Sequence, residues 1–433
     1  MEGEERGIGS RSFGEESWMF VRALKCISCS KEYEYGKLFK CDVDHELLEV
    51  VYDMDMVADA LAKGEFGKGS NMIEKYSLLL PVKGTMPTVS LGEGNTPLLT
   101  GNRLAESIGL KRLYLKDETR NPSGTFKDRS ICVGINVARE SGVLDVSIGS
   151  SGNAGASLAV YSAKAGMNCW IIVPATASPT KMYQGMACGA RVIPILAPVD
   201  AALELLKEAY DKWGWYPIPT SGPTNPYQSE GAKTCAYEIS SLLTKDRPDW
   251  VFYPVGGGDN IAANWKGFEE LEKLDLAGKP PKLVGVQASV CESLTEPLRD
   301  GHEHIRTISK PQTIASSICM EHPPTGLAAL RAIKKSGGIA TAVTDKEMLE
   351  AQALLASREG IFAEPASASV VAALRHLVDD GTVGPQDNVV CVITGTGLKE
   401  TASLKERYVL PSPIQPTIEA LASVAQIKAK VHS

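Results

Sequence analysis

The sequence contains no apolar stretch long enough to span a bilayer, no long basic run, no internal repeat and no low-complexity tract. The first absence argues against a membrane span. The second, with a net charge of -7, argues against a nucleic-acid partner. Residues 1–18 carry Glu2, Glu4, Glu5, Glu15 and Glu16, so the start reads neither as a secretory signal nor as an acid-poor transit peptide. The ten cysteines lack the spacing of a disulfide scaffold, and reduced thiols in a cytoplasm are the simplest reading. What remains is a chain of 433 residues with ordinary hydrophobic and charged content, enough for a large core and more than one lobe.

Near the start, Cys26-x-x-Cys29 and Cys41 resemble one complete and one incomplete hook of a zinc ribbon. Asp44 or His45 could supply a fourth ligand, but the spacing favours a metal-free remnant of a ribbon-like hairpin. Helical patterning over Asp55–Glu74 is interrupted by glycines. Leu91 to Leu98 is a turn cluster that leads into a helix near Asn102–Ile108, and Arg112–Lys116 alternates like a strand.

That strand delivers the chain to Asn121-Pro-Ser-Gly-Thr-Phe-Lys-Asp-Arg-Ser130, a turn that becomes a helix. Thr125 and Asp128 have the spacing of a capping box, the run to Glu140 is helical, and Gly142 stops it. Lys127 therefore lies in the first helical turn. Bare N–H groups there disfavour an ammonium and favour the free amine, the form a Schiff-base lysine needs. Taken alone, an ordinary cap before a surface lysine explains the same residues.

An αβ alternation follows. Strands are expected at Val146–Gly149, Cys169–Val173, Arg191–Ile195, Trp250–Val255, Leu283–Gln287 and Val389–Ile393. Helices are expected at Ala156–Lys164, Ser178–Cys188, Ala201–Lys212, Glu230–Leu243, Ile261–Lys273 and Ala366–Leu377. Such alternation implies parallel sheets. Three loops fall at strand ends, where open α/β sheets bind ligands: Ser150 to Gly155, Gly256 to Asn260 and Thr394 to Gly397. Gly256, Gly257 and Gly258 leave N–H groups bare before a helix, a cradle for phosphate or simply a tight turn. The Ser150 loop also opens a helix and suits a carboxylate, and Thr394 offers a neutral hydroxyl. With Lys127, these parts describe a site for pyridoxal phosphate.

The order and spacing of several segments strengthen that reading: the Lys127 turn, Ser151-Gly-Asn-Ala-Gly155, Pro254-Val-Gly, Gly360-Ile-Phe-Ala-Glu-Pro-Ala-Ser367 and Thr394-Gly-Thr-Gly-Leu-Lys399. From about Leu24 to Lys399 the chain resembles the threonine synthases, fold-type II pyridoxal-phosphate enzymes of the tryptophan synthase β family. The resemblance implies an α/β fold of two lobes with parallel sheets flanked by helices. It divides the chain into an N-terminal ribbon-like extension (1–90), a large cofactor-binding domain (91–142 and 224–411), a small domain (143–223) and a C-terminal tail (412–433). Ile414–Val431 reads as an amphipathic helix within that tail. A cytoplasmic homodimer acting on a small amino acid goes with the resemblance.

By the same resemblance, Lys127 carries the cofactor as a Schiff base and shuttles protons. Asn153 faces the cofactor's phenolic oxygen, Gly256, Gly257, Gly258, Asp259 and Asn260 hold its phosphate, and Thr394 meets its ring nitrogen. Ser150, Ser151, Gly152, Asn153 and Ala154 hold the substrate carboxylate. Glu364 lines the pocket, or else only favours the dipole of the helix it precedes. The implied reaction turns O-phospho-L-homoserine and water into L-threonine and phosphate. Two departures complicate it. Ala154 stands where the family has a threonine, and Gln228 stands where it has a phosphate-anchoring arginine. Lys116, Arg120, Ser221, Thr224 or Lys233 are candidates to compensate. Asp259 adds a negative charge near the phosphate unless it turns away to cap its helix. A dehydratase, ammonia-lyase or β-replacing synthase with the same cofactor is the alternative, and a non-catalytic binding homologue a further one.

Overall fold

The computed structural model describes residues 20–425 apart from 37–38, 65, 151, 176–178, 197–198, 220–223, 402–403, 405–407 and 409–410. Three sheets organise the part up to Lys399. The first is small and antiparallel, with Val21–Cys26 between Glu32–Tyr33 and Leu48–Tyr52. Leu48, Val50 and Tyr52 are buried in alternation with half-buried neighbours, so one face of this extension is covered.

The second sheet has six strands in the order Ile339–Val343, Lys282–Ala288, Trp250–Pro254, Asn388–Ile393, Arg112–Asp117, Leu98–Thr100. Every pair is parallel except the last, where Leu98–Thr100 runs against Arg112–Asp117. Trp250–Pro254 is buried along its whole length, and Asn388–Ile393 from its second residue on. That explains their unbroken apolar runs: neither face of a central parallel strand meets water. The third sheet, in the order Arg191–Ile195, Asn168–Pro174, Asp145–Ile148, Tyr216–Pro217, is entirely parallel. All four strands fall inside the segment 143–223 that the sequence sets apart.

Several expectations shift. The helix expected over Glu230–Leu243 is two pieces, Ser229–Ala232 and Thr234–Leu242. The sequence reading assigned no element between 288 and 360, where the structure has the helices Gly326–Ser336 and Asp345–Glu359 and the edge strand Ile339–Val343. Four of that strand's five residues are only half-buried, so it carries no strong apolar signature. Past Lys399, a short helix, Ile418–Val424, is capped by the Thr417 side chain and presents Ile418, Leu421 and Val424 in exposed positions. The expected helix over Ile414–Val431 is shorter than that at its start, and residues 426–431 lie outside the described ones. No described helix is long and apolar enough to cross a membrane.

Candidate active site

The segment Asn121–Phe126 is a turn held at both ends. Asn121 accepts from Gly94 N–H at 3.0 Å and donates to Glu118 at 2.8 Å. Gly124 has φ +79°, and a Cβ there would come within 2.8 Å of the Thr396 methyl carbon. That close approach lets the turn pair with the loop after Asn388–Ile393: Phe126 N–H donates to Thr394 O (2.9 Å) and Thr396 N–H to Gly124 O (3.0 Å). The helix begins at Lys127 itself. The expected capping box does not form. Asp128 reaches back past Thr125 to Ser123, accepting from its N–H (2.6 Å) and hydroxyl (2.5 Å), and also from the Ser157 hydroxyl on the third sheet's side (2.5 Å). Burial pushes the Asp128 carboxyl up, against the pull of those serines.

Lys127 Nζ lies 2.8 Å from Asp259 Oδ2. Asp259 is the first residue of the helix Asp259–Lys273, and its side chain does not cap that helix. The glycine loop therefore delivers its carboxylate to the lysine. Gly258 is the N-cap with φ +89°, and its position against Thr325 O leaves no room for a side chain. Gly256 is likewise crowded by Ser317 O. The tight-turn explanation of these glycines is thus correct as far as it goes. The loop nonetheless keeps its donors free: among the described residues, none of the N–H groups from Gly256 to Asn260 has a hydrogen-bond acceptor. Asn260 Nδ2 is also buried without a partner among the described residues, while Asn260 Oδ1 accepts from Asn264 at 2.8 Å.

Opposite stands the helix Asn153–Ala165. Gly155 permits its first turn to lie on the end of Asp145–Ile148, since a Cβ there would overlap Ser150 O. Ser150 is half-buried, Ser151 lies outside the described residues, and Gly152 is the N-cap. Asn153 Nδ2 donates to both oxygens of Glu364 (3.2 and 3.0 Å), which also accepts from Ser317 Oγ at 3.1 Å. Glu364 makes no side-chain cap to its own helix, so it faces Asn153 rather than serving the helix alone. Thr394 Oγ1 lies 2.7 Å from Ser367 Oγ. Lys399 Nζ is buried without a hydrogen-bond partner among the described residues, and burial lowers its pKa against the opposing charges of Asp128 and Glu364. Ser317, Ser367 and Lys399 were not singled out from sequence. The latter two stand inside segments that carried the resemblance, whereas nothing local marks Ser317.

Other expected residues are elsewhere. Lys116 is fully buried and donates to Thr96 O (2.7 Å) and Glu238 (2.6 Å), within a network that includes Arg129 and Glu118. Lys233 is fully buried between Glu230 (2.5 Å) and Glu270 (2.9 Å). Neither ammonium is available to a substrate. Arg120 pairs with Asp117 and is largely exposed. Ser221 lies outside the described residues, and Thr224 is half-buried. Gln228 is fully buried, and both amide atoms lack partners among the described residues. Its Cβ lies against Gly134, two turns along the Lys127 helix. His45 does not join Cys26, Cys29 and Cys41; Asp44 does.

A primary amine beside a helix N-terminus, a row of free N–H donors and an unpaired buried amide nitrogen fit an aldehyde that bears a phosphate. A neutral hydroxyl pair at Thr394 fits a ring nitrogen that need not be protonated. Comparison with known proteins agrees. Residues 89–395 match the family model "pyridoxal-phosphate dependent enzyme". Threonine synthase of Methanocaldococcus jannaschii is 40% identical over 87% of this chain and 92% of its own. That of Methanosarcina acetivorans is 38% identical over 94% and 99%. Among solved structures, the L-serine ammonia-lyase of Rhizomucor miehei superposes with a TM-score of 0.63, covering 73% of this chain and 99% of its own at 21% identity, a likeness of fold. The chain belongs to the family of pyridoxal-phosphate dependent enzymes, in the group whose relatives are threonine synthases.

Proposed function

We propose that this chain is a threonine synthase, a lyase that converts O-phospho-L-homoserine and water to L-threonine and phosphate with pyridoxal phosphate. The observation that carries the reading is the meeting of Lys127 Nζ with the N-terminus of Asp259–Lys273, where the run of free N–H groups that starts at Gly256 ends. When bound, pyridoxal phosphate supplies an electrophilic carbon and a conjugated ring that takes up the electron pair of a broken C–H bond.

The protein's part is to hold, orient and move protons. Gly256 to Asn260 grip the cofactor phosphate by N–H donation, with Asn260 Nδ2 as an added donor. Asn153 and Thr394 hold the ring at its oxygen and nitrogen. The helix N-terminus at Gly152 to Ala154, with Ser150 before it, binds the substrate carboxylate. Lys127 Nζ takes the proton from the substrate α-carbon and returns it at the end. A β-proton is removed as phosphate leaves from the γ-carbon; the γ-carbon then takes up a proton and water adds its hydroxyl at the β-carbon. Glu364, tied to Asn153, lines the cleft beside the ring. The segment 143–223 acts as a small lobe whose closure excludes water. Ten free cysteines suit a reducing cytoplasm, and a homodimer is the assembly that the family reading favours.

The deciding experiment offers O-phosphohomoserine, serine, threonine and O-acetylserine in parallel and measures threonine, ketoacid and phosphate. Threonine and equimolar phosphate from the first substrate alone are expected. Ketoacid from serine or threonine, with O-phosphohomoserine inert, refutes the assignment in favour of an ammonia-lyase.

A further inference from the structure

The small antiparallel sheet holds two turns that repeat one another. Cys26-Ile-Ser-Cys29 is the first and Cys41-Asp-Val-Asp44 the second. In each, the leading cysteine N–H donates to the carbonyl five residues on: Cys26 to Lys31 at 2.9 Å, Cys41 to Glu46 at 3.0 Å. Its carbonyl accepts from the residue four on, Ser30 at 3.1 Å and His45 at 3.2 Å. Its sulfur accepts the N–H two residues on, Ser28 and Val43, at 3.4 Å in both. The residue four on is left-handed in both, Ser30 at φ 62° and His45 at φ 60°. Two turns 15 residues apart thus share a geometry that turns each leading sulfur, and the side chain three residues later, towards one point.

The side chains that meet there are Cys26, Cys29, Cys41 and Asp44, whose ligand atoms all lie within 4.8 Å of one another. Cys29 Sγ is 3.6 Å from Cys41 Sγ, and Cys26 Sγ is 3.3 Å from Asp44 Oδ1. A disulfide needs about 2.05 Å between sulfurs. A tetrahedral zinc with bonds of about 2.3 Å to sulfur and about 2.0 Å to oxygen separates its ligand atoms by roughly 3.5–3.8 Å. The observed spacings are close to the second arrangement. We infer that Cys26, Cys29, Cys41 and Asp44 form a structural zinc site, with Asp44 as the ligand that completes the second turn. Three sulfurs select a thiophilic ion over magnesium or calcium, and four protein ligands leave no open position for a reacting water. Binding displaces three thiol protons to solvent while Asp44 coordinates as its carboxylate.

The site also has something to hold. Between its first two ligands, Ile27 O accepts from Arg331 Nη1 at 2.6 Å. Arg331 belongs to the helix Gly326–Ser336, and Thr325, which precedes it, donates to Gly257 O at 2.8 Å. The ion would fix the turn that anchors this helix behind the glycine loop.

The test is metal analysis of the full-length chain purified without chelator, then titrated with zinc against a chromogenic chelator. About one tightly held zinc per chain is expected, and cobalt in its place should give an intense thiolate-to-metal absorption band. Cys41→Ser should lose the zinc. Asp44→Ala should weaken affinity about tenfold or more, while Asp44→Cys keeps full occupancy and His45→Ala changes nothing. If the wild-type chain stays metal-free after zinc exposure and gel filtration, or has lost two protons to a Cys29–Cys41 disulfide, the inference fails. Equal occupancy in wild type and Cys41→Ser overturns it too. If Cys41→Ser does not fold, the cobalt spectrum of the wild type and the Asp44→Ala affinity decide the matter.

Discussion

Lys127 and Asp259 stand 132 positions apart in sequence and form an ion pair of 2.8 Å in the candidate site. Both are largely buried, with the lysine the more accessible of the two. The pair joins the first residue of one helix to the first residue of another, so two helix N-termini converge on the same volume. Asp259 offsets there the partial positive charge with which those termini would otherwise attract an anionic ligand.

This relationship makes the first prediction. Cofactor binding has to draw Lys127 away from Asp259 and bring a phosphate towards the same helix end. Asp259→Asn removes a competing anion and should tighten pyridoxal phosphate binding about fivefold, the equivalent of about 1 kcal/mol for a partly screened pair. Equilibrium titration of the apo chain by visible absorbance measures it. Weaker binding in Asp259→Asn would mean that the carboxylate instead supports the bound state.

Lys127→Ala should abolish turnover and the visible band of the bound cofactor, because no other amine takes its place. Lys399 is the nearest test of that statement, since its Nζ is buried and, unlike Lys127, has no hydrogen-bond partner among the described residues. Substituting Lys399 by Met should leave the visible band intact. Loss of the band in the Lys399 variant rather than in Lys127→Ala would reassign the nucleophile.

Much of this was legible in sequence because the site is built from local signals. A turn with Gly124, a glycine run at a strand end and a small-residue helix start each leave a mark within ten residues. The parallel sheets were legible because buried central strands are apolar without interruption. Side-chain destinations were not legible. Lys116 looks like any other lysine near a strand end, and only the folded structure shows that it points to Glu238 on the helix Thr234–Leu242. Thr125 and Asp128 had cap spacing, yet Ser123 and Ser157 competed for the same carboxylate and won. The Cys41-x-x-Asp44 spacing did repeat Cys26-x-x-Cys29, a signal sufficient to favour Asp44 over His45.

The network around Arg129 yields a stability prediction. Its guanidinium is fully buried and bonds both Glu118 and Glu238 at 2.7 Å. Arg129→Met strands two carboxylates in the core with only Lys116 to balance them, and should cost about 3–5 kcal/mol in denaturant unfolding. Lys116→Met should also destabilise. It should not raise the KM for the substrate, which separates its structural place from the substrate-binding role expected of it.

Acid should act through the same cluster. Burial works to raise the Glu238 carboxyl, but Arg129 and Lys116 outweigh it and hold it down to about 2, against an ordinary value of 4.5. The unfolded chain therefore takes up its proton first as pH falls. The stabilisation is complete above about pH 4.5 and disappears as pH approaches about 2, a loss of about 3 kcal/mol for this group. Unfolding free energy measured across that window should fall more steeply in wild type than in Glu238→Gln. Parallel slopes would remove Glu238 from the acid response.

Gln228 gives the sharpest division between packing and function. Among the described residues neither atom of the Gln228 amide is paired, and a buried amide left so costs about 1–3 kcal/mol, which an apolar side chain of similar volume would not incur. Gln228→Met should therefore unfold at higher denaturant than wild type. A protein retains such a cost where a ligand satisfies the group, and Gln228 lies against Gly134 on the helix that carries Lys127. If its amide meets the substrate, Gln228→Met gains stability and loses substrate affinity together, with KM for O-phosphohomoserine rising about tenfold or more and kcat changing less. Gln228→Arg should fail differently, because a guanidinium in that enclosed position needs a counter-charge: lower stability, restored by the substrate if its phosphate supplies that charge. A gain in stability with unchanged KM would show Gln228 to be a packing residue alone and would leave leaving-group recognition to other side chains of the cleft.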